Sequence, residues 1–220
     1  MRRATDRPRY VAIDGLPGSG ATALARSLAA ASEAALYADP APGNPFRDEF
    51  AHDPDRFAFQ TQTYCLLTRY RQQVELAQPN LFSPSGAVTD YVFARDELFA
   101  RVTLRADELH LYQRIHQLLD QRIPEPDLVV YLTGSREALR GRVRAAVPSS
   151  DRVIKLSVFD RLADVMDDYF LNYDRGPLLI LDSSSIKSME DPAAMEDAVS
   201  LIRRTEAGVQ CVQLGGHQGR

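Results

Sequence analysis

Hydrophobic and polar positions along the chain follow two rhythms. Short β-rich apolar runs fall at Tyr10–Asp14, Gly86–Thr89, Leu128–Leu132 and Leu178–Asp182, with a further short one at Ala35–Ala38. Between them lie helical patterns at Thr22–Ala31, Asp55–Leu76, Asp107–Gln121, Arg136–Arg144, Ser157–Tyr173 and Pro192–Arg203. Asp53-Pro54 and Asp191-Pro192 set a capping carboxylate ahead of a proline in the first helical turn, and Ser157 supplies a similar start. Regular alternation of this kind predicts an α/β fold: a five-stranded parallel sheet with helices on both faces. In such sheets ligands bind beyond the carboxyl ends of the strands, here the loops after Asp14, Ala38 and Thr89.

Three stretches break the rhythm. Pro40–Pro45, "PAPGNP", cannot be helix interior, because each proline removes a donor and restricts its predecessor. Ala145–Asp151 reads as a connector between two helices, and the Gly-rich tail from Gly208 reads as disordered. The expected organisation is a flexible arm at 1–9, one domain over 10–205 with a lid near 142–155, and a disordered tail at 206–220.

Composition narrows the function. A chain of 220 residues with 45% hydrophobic content can bury a sizeable core. The net charge of -4 lacks the concentrated positive charge of nucleic-acid binders, so the partner expected is a small molecule or another protein. Cys65 sits in an apolar helical run and Cys211 in the tail, a spacing that gives neither a disulfide framework nor a zinc site. Met1–Arg9 is Arg-rich but leads into only five strand-like residues, too few for a signal peptide or membrane span, and the expected location is cytoplasmic.

The chemistry starts at "AIDGLPGSGATALAR", Ala12–Arg26. Gly15, Gly18 and Gly20 lie between a strand and a helix, so the backbone N–H groups of Gly15, Gly18, Ser19, Gly20, Ala21 and Thr22 can wrap a polyphosphate at a helix N-terminus. Thr22 can hold a magnesium ion that arrives with a nucleotide, but Ala21 stands where such loops carry lysine. Loss of one positioned charge commonly costs roughly 10²–10³ in rate. Without other context the glycines also fit a strand-to-helix turn that needs only their backbone freedom.

Beyond that loop the chain resembles the bacterial deoxynucleoside kinases, in particular the deoxyadenosine/deoxyguanosine kinase type. The resemblance runs from Tyr10 to Asp182 and rests on "AIDGLPGSGAT", "DPAPGNPF", "FAFQTQTYCLLTRYRQ", "TDYVFARDELFA" and "PDLVVYL" in that order. It implies a P-loop kinase fold with a short helical lid, and transfer of the γ-phosphate of ATP, with Mg2+, to the 5′-hydroxyl of a deoxynucleoside. By the same resemblance Asp39, in place of a glutamate, is the general base. Gln62, Arg69 and Asp96 face the base, while Asp90 and Asp151 supply acids near the acceptor. Arg142 faces the phosphates.

Three departures accompany Ala21: Tyr91 replaces an arginine, and Ala146 and Pro148 fall where lid arginines are expected, with Arg144 or Lys155 as partial substitutes. Apart from the resemblance, Asp39 also fits a turn residue before proline, and Arg69–Asp96 an ordinary ion pair on a buried helix. Two functions follow: a kinase with impaired catalysis, or a catalytically silent nucleoside- or nucleotide-binding subunit paired with an active paralogue. The family implies dimerisation through 55–76 and 107–121, as a homodimer or a mixed dimer.

Overall fold

A computed structural model describes residues 9–78, 86–146, 156–184, 191–205 and 207–214. Its centre is a parallel sheet of β1 (Arg9–Gly15), β2 (Ala35–Tyr37), β3 (Gly86–Thr89), β4 (Leu128–Thr133), β5 (Leu178–Asp182) and β6 (Val209–Gln213), in the order β2-β3-β1-β4-β5-β6. The helices are α1 (Ala21–Ala31), α2 (Arg47–His52), α3 (Pro54–Leu76), α4 (Arg95–Thr103), α5 (Ala106–Asp120), α6 (Arg136–Ala146), α7 (Leu156–Leu171) and α8 (Pro192–Arg204).

The period of the strands decides the layering. Alternate β1 residues point to opposite faces, so Tyr10 and Ala12 join one buried cluster with residues of α4 and α7. Val11 and Ile13 join another with residues of α1 and α8. Both faces are therefore covered, as continuous apolar strands in a parallel sheet require.

The sheet has six strands, where five were expected. The extra strand, β6, lies within the tail read as disordered. It pairs along β5 from Leu178–Val209 to Asp182–Gln213, and most of its side chains are exposed. Backbone pairing with β5 makes this strand, and a side-chain pattern carries little trace of it. Two helices also escaped the sequence pattern: α2 is only Arg47–His52, and α4 opens with the charged run Arg95-Asp96-Glu97. The positions of Pro148, Asp151 and Lys155, with most of the expected lid, lie outside the described residues, as does the arm at 1–8.

Candidate active site

The loop between β1 and α1 is shaped by its glycines. Gly20 caps α1 with φ at 93°, a left-handed conformation that strains residues with a Cβ. Gly15 permits a close approach: a Cβ there would meet the Leu132 carbonyl oxygen at 2.6 Å. Beside the loop is a cavity of about 680 Å3, bordered by Gly18, Ser19, Ala21, Thr22 and Arg142. Arg142 on α6 reaches back to donate from Nη1 to the Gly18 carbonyl at 3.3 Å. Ala21 leaves the first turn of α1 without a cationic side chain, and the backbone N–H groups remain.

A second cavity of about 520 Å3 opens between the loop after β2 and helix α3. Gln62, Cys65 and Arg69 share one buried face of α3 and line it. The Pro-rich loop is pinned to that helix through Asn44, which donates to the Thr61 carbonyl at 3.0 Å and accepts from the Phe46 N–H at 2.9 Å. Burial pushes the Cys65 thiol up to about 11.

Arg69 is the electrostatic centre of this cavity. Its Nη1 donates to Asp96 and its Nη2 to Asp39 Oδ1 at 2.6 Å. Asp39 Oδ1 also accepts from the Ala41 N–H at 2.9 Å, which fixes the carboxylate across the start of the loop. The Asp96 side chain is wholly buried at 0% exposure and does not line the cavity, so it holds Arg69 from behind. Asp96 Oδ2 and Arg69 Nε are buried without a hydrogen-bond partner among the described residues, and of the two only Arg69 lines the cavity, where a polar ligand edge or water would relieve that cost.

The two cavities share Thr22, Arg26, Asp39, Asp90 and Arg95. Asp90 Oδ1 accepts from the Asp39 N–H at 2.5 Å. Burial raises the Asp90 carboxyl above the usual range, and the nearby Thr22 hydroxyl and that backbone bond pull against the rise. Asp90 thus borders the cavity of Gln62 and Arg69 as well as that of the glycine loop, and stands with Thr22 at their junction.

Tyr91 is fully buried and turned into the core, donating to Gln72 Oε1 at 2.9 Å and accepting from Gln73 Nε2 at 3.2 Å. Arg95 was missed. A cation in the first turn of a helix opposes the helix dipole, and that was the signal available in "ARDEL". Its compensation comes from Asp14, which is too distant in sequence to be seen there. The structure brings Gly15, Gly18, Ser19, Gly20, Ala21, Thr22, Asp39, Asp90 and Arg142 to one cavity, and Gln62 and Arg69 to the adjoining one. Among the described residues no helix is long and apolar enough to cross a membrane.

The sequence matches a model of the deoxynucleoside kinase family over residues 11–205. It is 26% identical over 153 residues to a deoxyguanosine kinase of Bacillus subtilis (strain 168), covering 70% of this chain and 74% of that protein. It is 25% identical over 192 residues to a deoxyadenosine kinase of Dictyostelium discoideum, covering 84% of this chain and 77% of the other. The fold is similar to that of deoxyadenosine kinase from M. mycoides solved with bound dCTP, with a TM-score of 0.70 at 18% identity over 88% of this chain and 96% of that one. The fold is accordingly that of the P-loop deoxynucleoside kinases, enlarged over the expectation by one edge strand. With the family match spanning most of its length, the chain belongs to the deoxynucleoside kinase family.

Proposed function

We propose that this chain transfers the γ-phosphate of ATP to the 5′-hydroxyl of a deoxynucleoside, and does so slowly for its family. The observation that supports this most is the meeting of two cavities at Asp39, Asp90 and Thr22, one walled by a glycine loop and the other by Gln62 and Arg69. The similar proteins named for deoxyguanosine and deoxyadenosine make a purine deoxynucleoside the first acceptor to try.

In this reading Gln62 and Arg69 bind the base edge, since the Gln amide offers a donor beside an acceptor and Asp96 fixes the guanidinium. Asp39 Oδ1 is occupied by Arg69 and Ala41, which turns the work of accepting the 5′-hydroxyl proton to Oδ2. The hydroxyl oxygen bonds to the γ-phosphorus as the bond to the bridging β–γ oxygen breaks, and ADP leaves with that electron pair. The loop N–H groups and Arg142 hold the phosphates. Thr22 and Asp90 are hard oxygen donors placed together and fit a magnesium ion, which when bound neutralises phosphate charge. Asp151 is assigned to the sugar by resemblance alone.

The absent lysine argues for reduced turnover: removal of one positioned charge costs roughly 10²–10³ in rate where nothing replaces it. Labelled phosphate transfer from ATP to each of the four deoxynucleosides tests the proposal. Asp39→Asn is expected to lower kcat by roughly 10²–10⁴ while deoxynucleoside affinity stays within a few-fold. Absence of transfer to every acceptor, with nucleoside binding retained, would favour the silent-subunit role.

We also infer a dimer through α3 and α5, because Leu67, Leu111 and Leu118 on these helices are 51%, 52% and 64% exposed. Leu67→Glu with Leu118→Glu is expected to yield a monomer in analytical ultracentrifugation.

A further inference from the structure

We propose that Arg95 supplies the phosphate-directed charge that Ala21 lacks, so that the loop's cation comes from α4 across the cleft. This rests on the kinase reading above and adds a residue that neither the loop motif nor the resemblance assigns.

Placement is the first argument. Arg95 borders both cavities, at the junction where Asp39 and Thr22 also stand. Its Nη1 pairs with Asp14, the last side chain of β1 before the glycines, and donates to the Gly15 carbonyl at 3.3 Å. The guanidinium therefore lies against the mouth of the loop.

Preorganisation is the second. The Arg95 side chain is 12% exposed, and its guanidinium carbon rests 4.9 Å from the centre of the Phe99 ring. Asp14 is itself fixed, taking the Gly15 N–H at 2.6 Å and the Val92 N–H at 3.0 Å. Nη1 thus serves as the anchor, while Nε and Nη2 have no partner among the described residues. A charge already held in place needs little rearrangement when an anion arrives, which is where electrostatic stabilisation is most effective. Arg26 also borders both cavities, but it is exposed on α1 and has no such anchoring carboxylate among the described residues.

The third argument is cost. Arg95 is the first residue of α4, where the helix dipole disfavours a cation. Folding tolerates it through Asp14, and a neutral residue at 95 with a neutral residue at 14 would avoid both charges. Phosphate binding gives the pair a use that stability does not.

The test is equilibrium binding of ATP and of inorganic tripolyphosphate, with deoxynucleoside binding measured in parallel. Arg95→Met is expected to weaken both polyphosphates by roughly ten- to a hundred-fold, the range for a lost charge-assisted hydrogen bond, and deoxynucleoside by less than about threefold. Asp14→Asn/Arg95→Met removes both partners and serves if the single variant does not fold. Adding Ala21→Lys is expected to restore polyphosphate affinity to within about threefold of the parent, because a lysine on α1 serves the same anion. Equal polyphosphate affinity with and without Arg95, or a loss that Ala21→Lys does not repair, overturns the assignment. A parent chain that binds neither ATP nor tripolyphosphate removes the kinase reading as well, so the two failures are distinct.

Discussion

The two halves of the cleft are built on different physics. On the side we assign to the acceptor, the wall is built from buried side chains: Arg69 is paired with Asp96, and Asp39 is tied to the same guanidinium. On the phosphate side the walls are mostly backbone, with glycines bending the loop and cations reaching in from α4 and α6. The acceptor half is rigid and intolerant because its charges are desolvated. The phosphate half can exchange the origin of a charge, because the backbone cradle persists whichever element carries it.

The largest effect expected from this contrast is on stability. Arg69→Met strands Asp96 without its cation and is expected to destabilise the fold by about 3–5 kcal/mol, lowering the thermal midpoint by about 10 °C. Arg69→Met/Asp96→Leu should recover much of that loss in calorimetry. A single variant that melts within about 2 °C of the parent would break the contrast from the acceptor side.

Next is Ala21→Lys, at a half-buried position that starts α1, packs against the core on one side and borders the loop cavity on the other. It is expected to raise kcat/KM for ATP by about tenfold with little change in the midpoint, a step worth about 1.4 kcal/mol. Steady-state kinetics and thermal melts together check it. A gain near a thousandfold would mean that Arg95 and Arg142 contribute almost nothing in the parent.

A smaller effect belongs to Asp90, whose carboxyl is raised by burial. A group with a raised folded-state pKa contributes its stability below the unfolded value, near 3.9, and loses that contribution as pH climbs through the folded value. At pH 7 the charged Asp90 therefore weighs against folding. Asp90→Asn is expected to raise the midpoint modestly at pH 7, with the gain shrinking as pH falls towards the unfolded value, while transfer activity declines. Thermal melts over pH 4–8 read the first change and the phosphate assay the second.

The mildest is chemical. Cys211 is exposed on β6, whereas Cys65 lies buried in the acceptor cavity with its thiol near 11. At pH 8 a thiol reagent should label Cys211 promptly and Cys65 slowly, and deoxynucleoside should slow the second further. Equal rates would show that the acceptor cavity is more open than its walls suggest.

How much of this was legible in the sequence follows the same division. The glycine loop and the α3 face could be read because their constraints are local: the glycines serve one turn, and Gln62, Cys65 and Arg69 repeat at helical spacing. Arg69 with Asp96 was also anticipated, although the placing of Asp96 behind the cavity wall was not. What escaped was written in partners far along the chain. Arg95 makes sense only beside Asp14, β6 only beside β5, and Tyr91 reads as a lost arginine until Gln72 and Gln73 are seen around its hydroxyl.

The strand order has a consequence for how the molecule comes together. The earliest strand in the chain, β1, sits between β3 and β4, so its partners are made only after residues 86–89 and 128–133 have left the ribosome. Until then the apolar stretch at 10–13 has no ladder, and the glycine loop has no sheet to hang from. Such long-range parallel pairing is slow and leaves sticky intermediates. Nucleotide binding would therefore emerge late in synthesis, even though its loop is encoded within the first 22 residues.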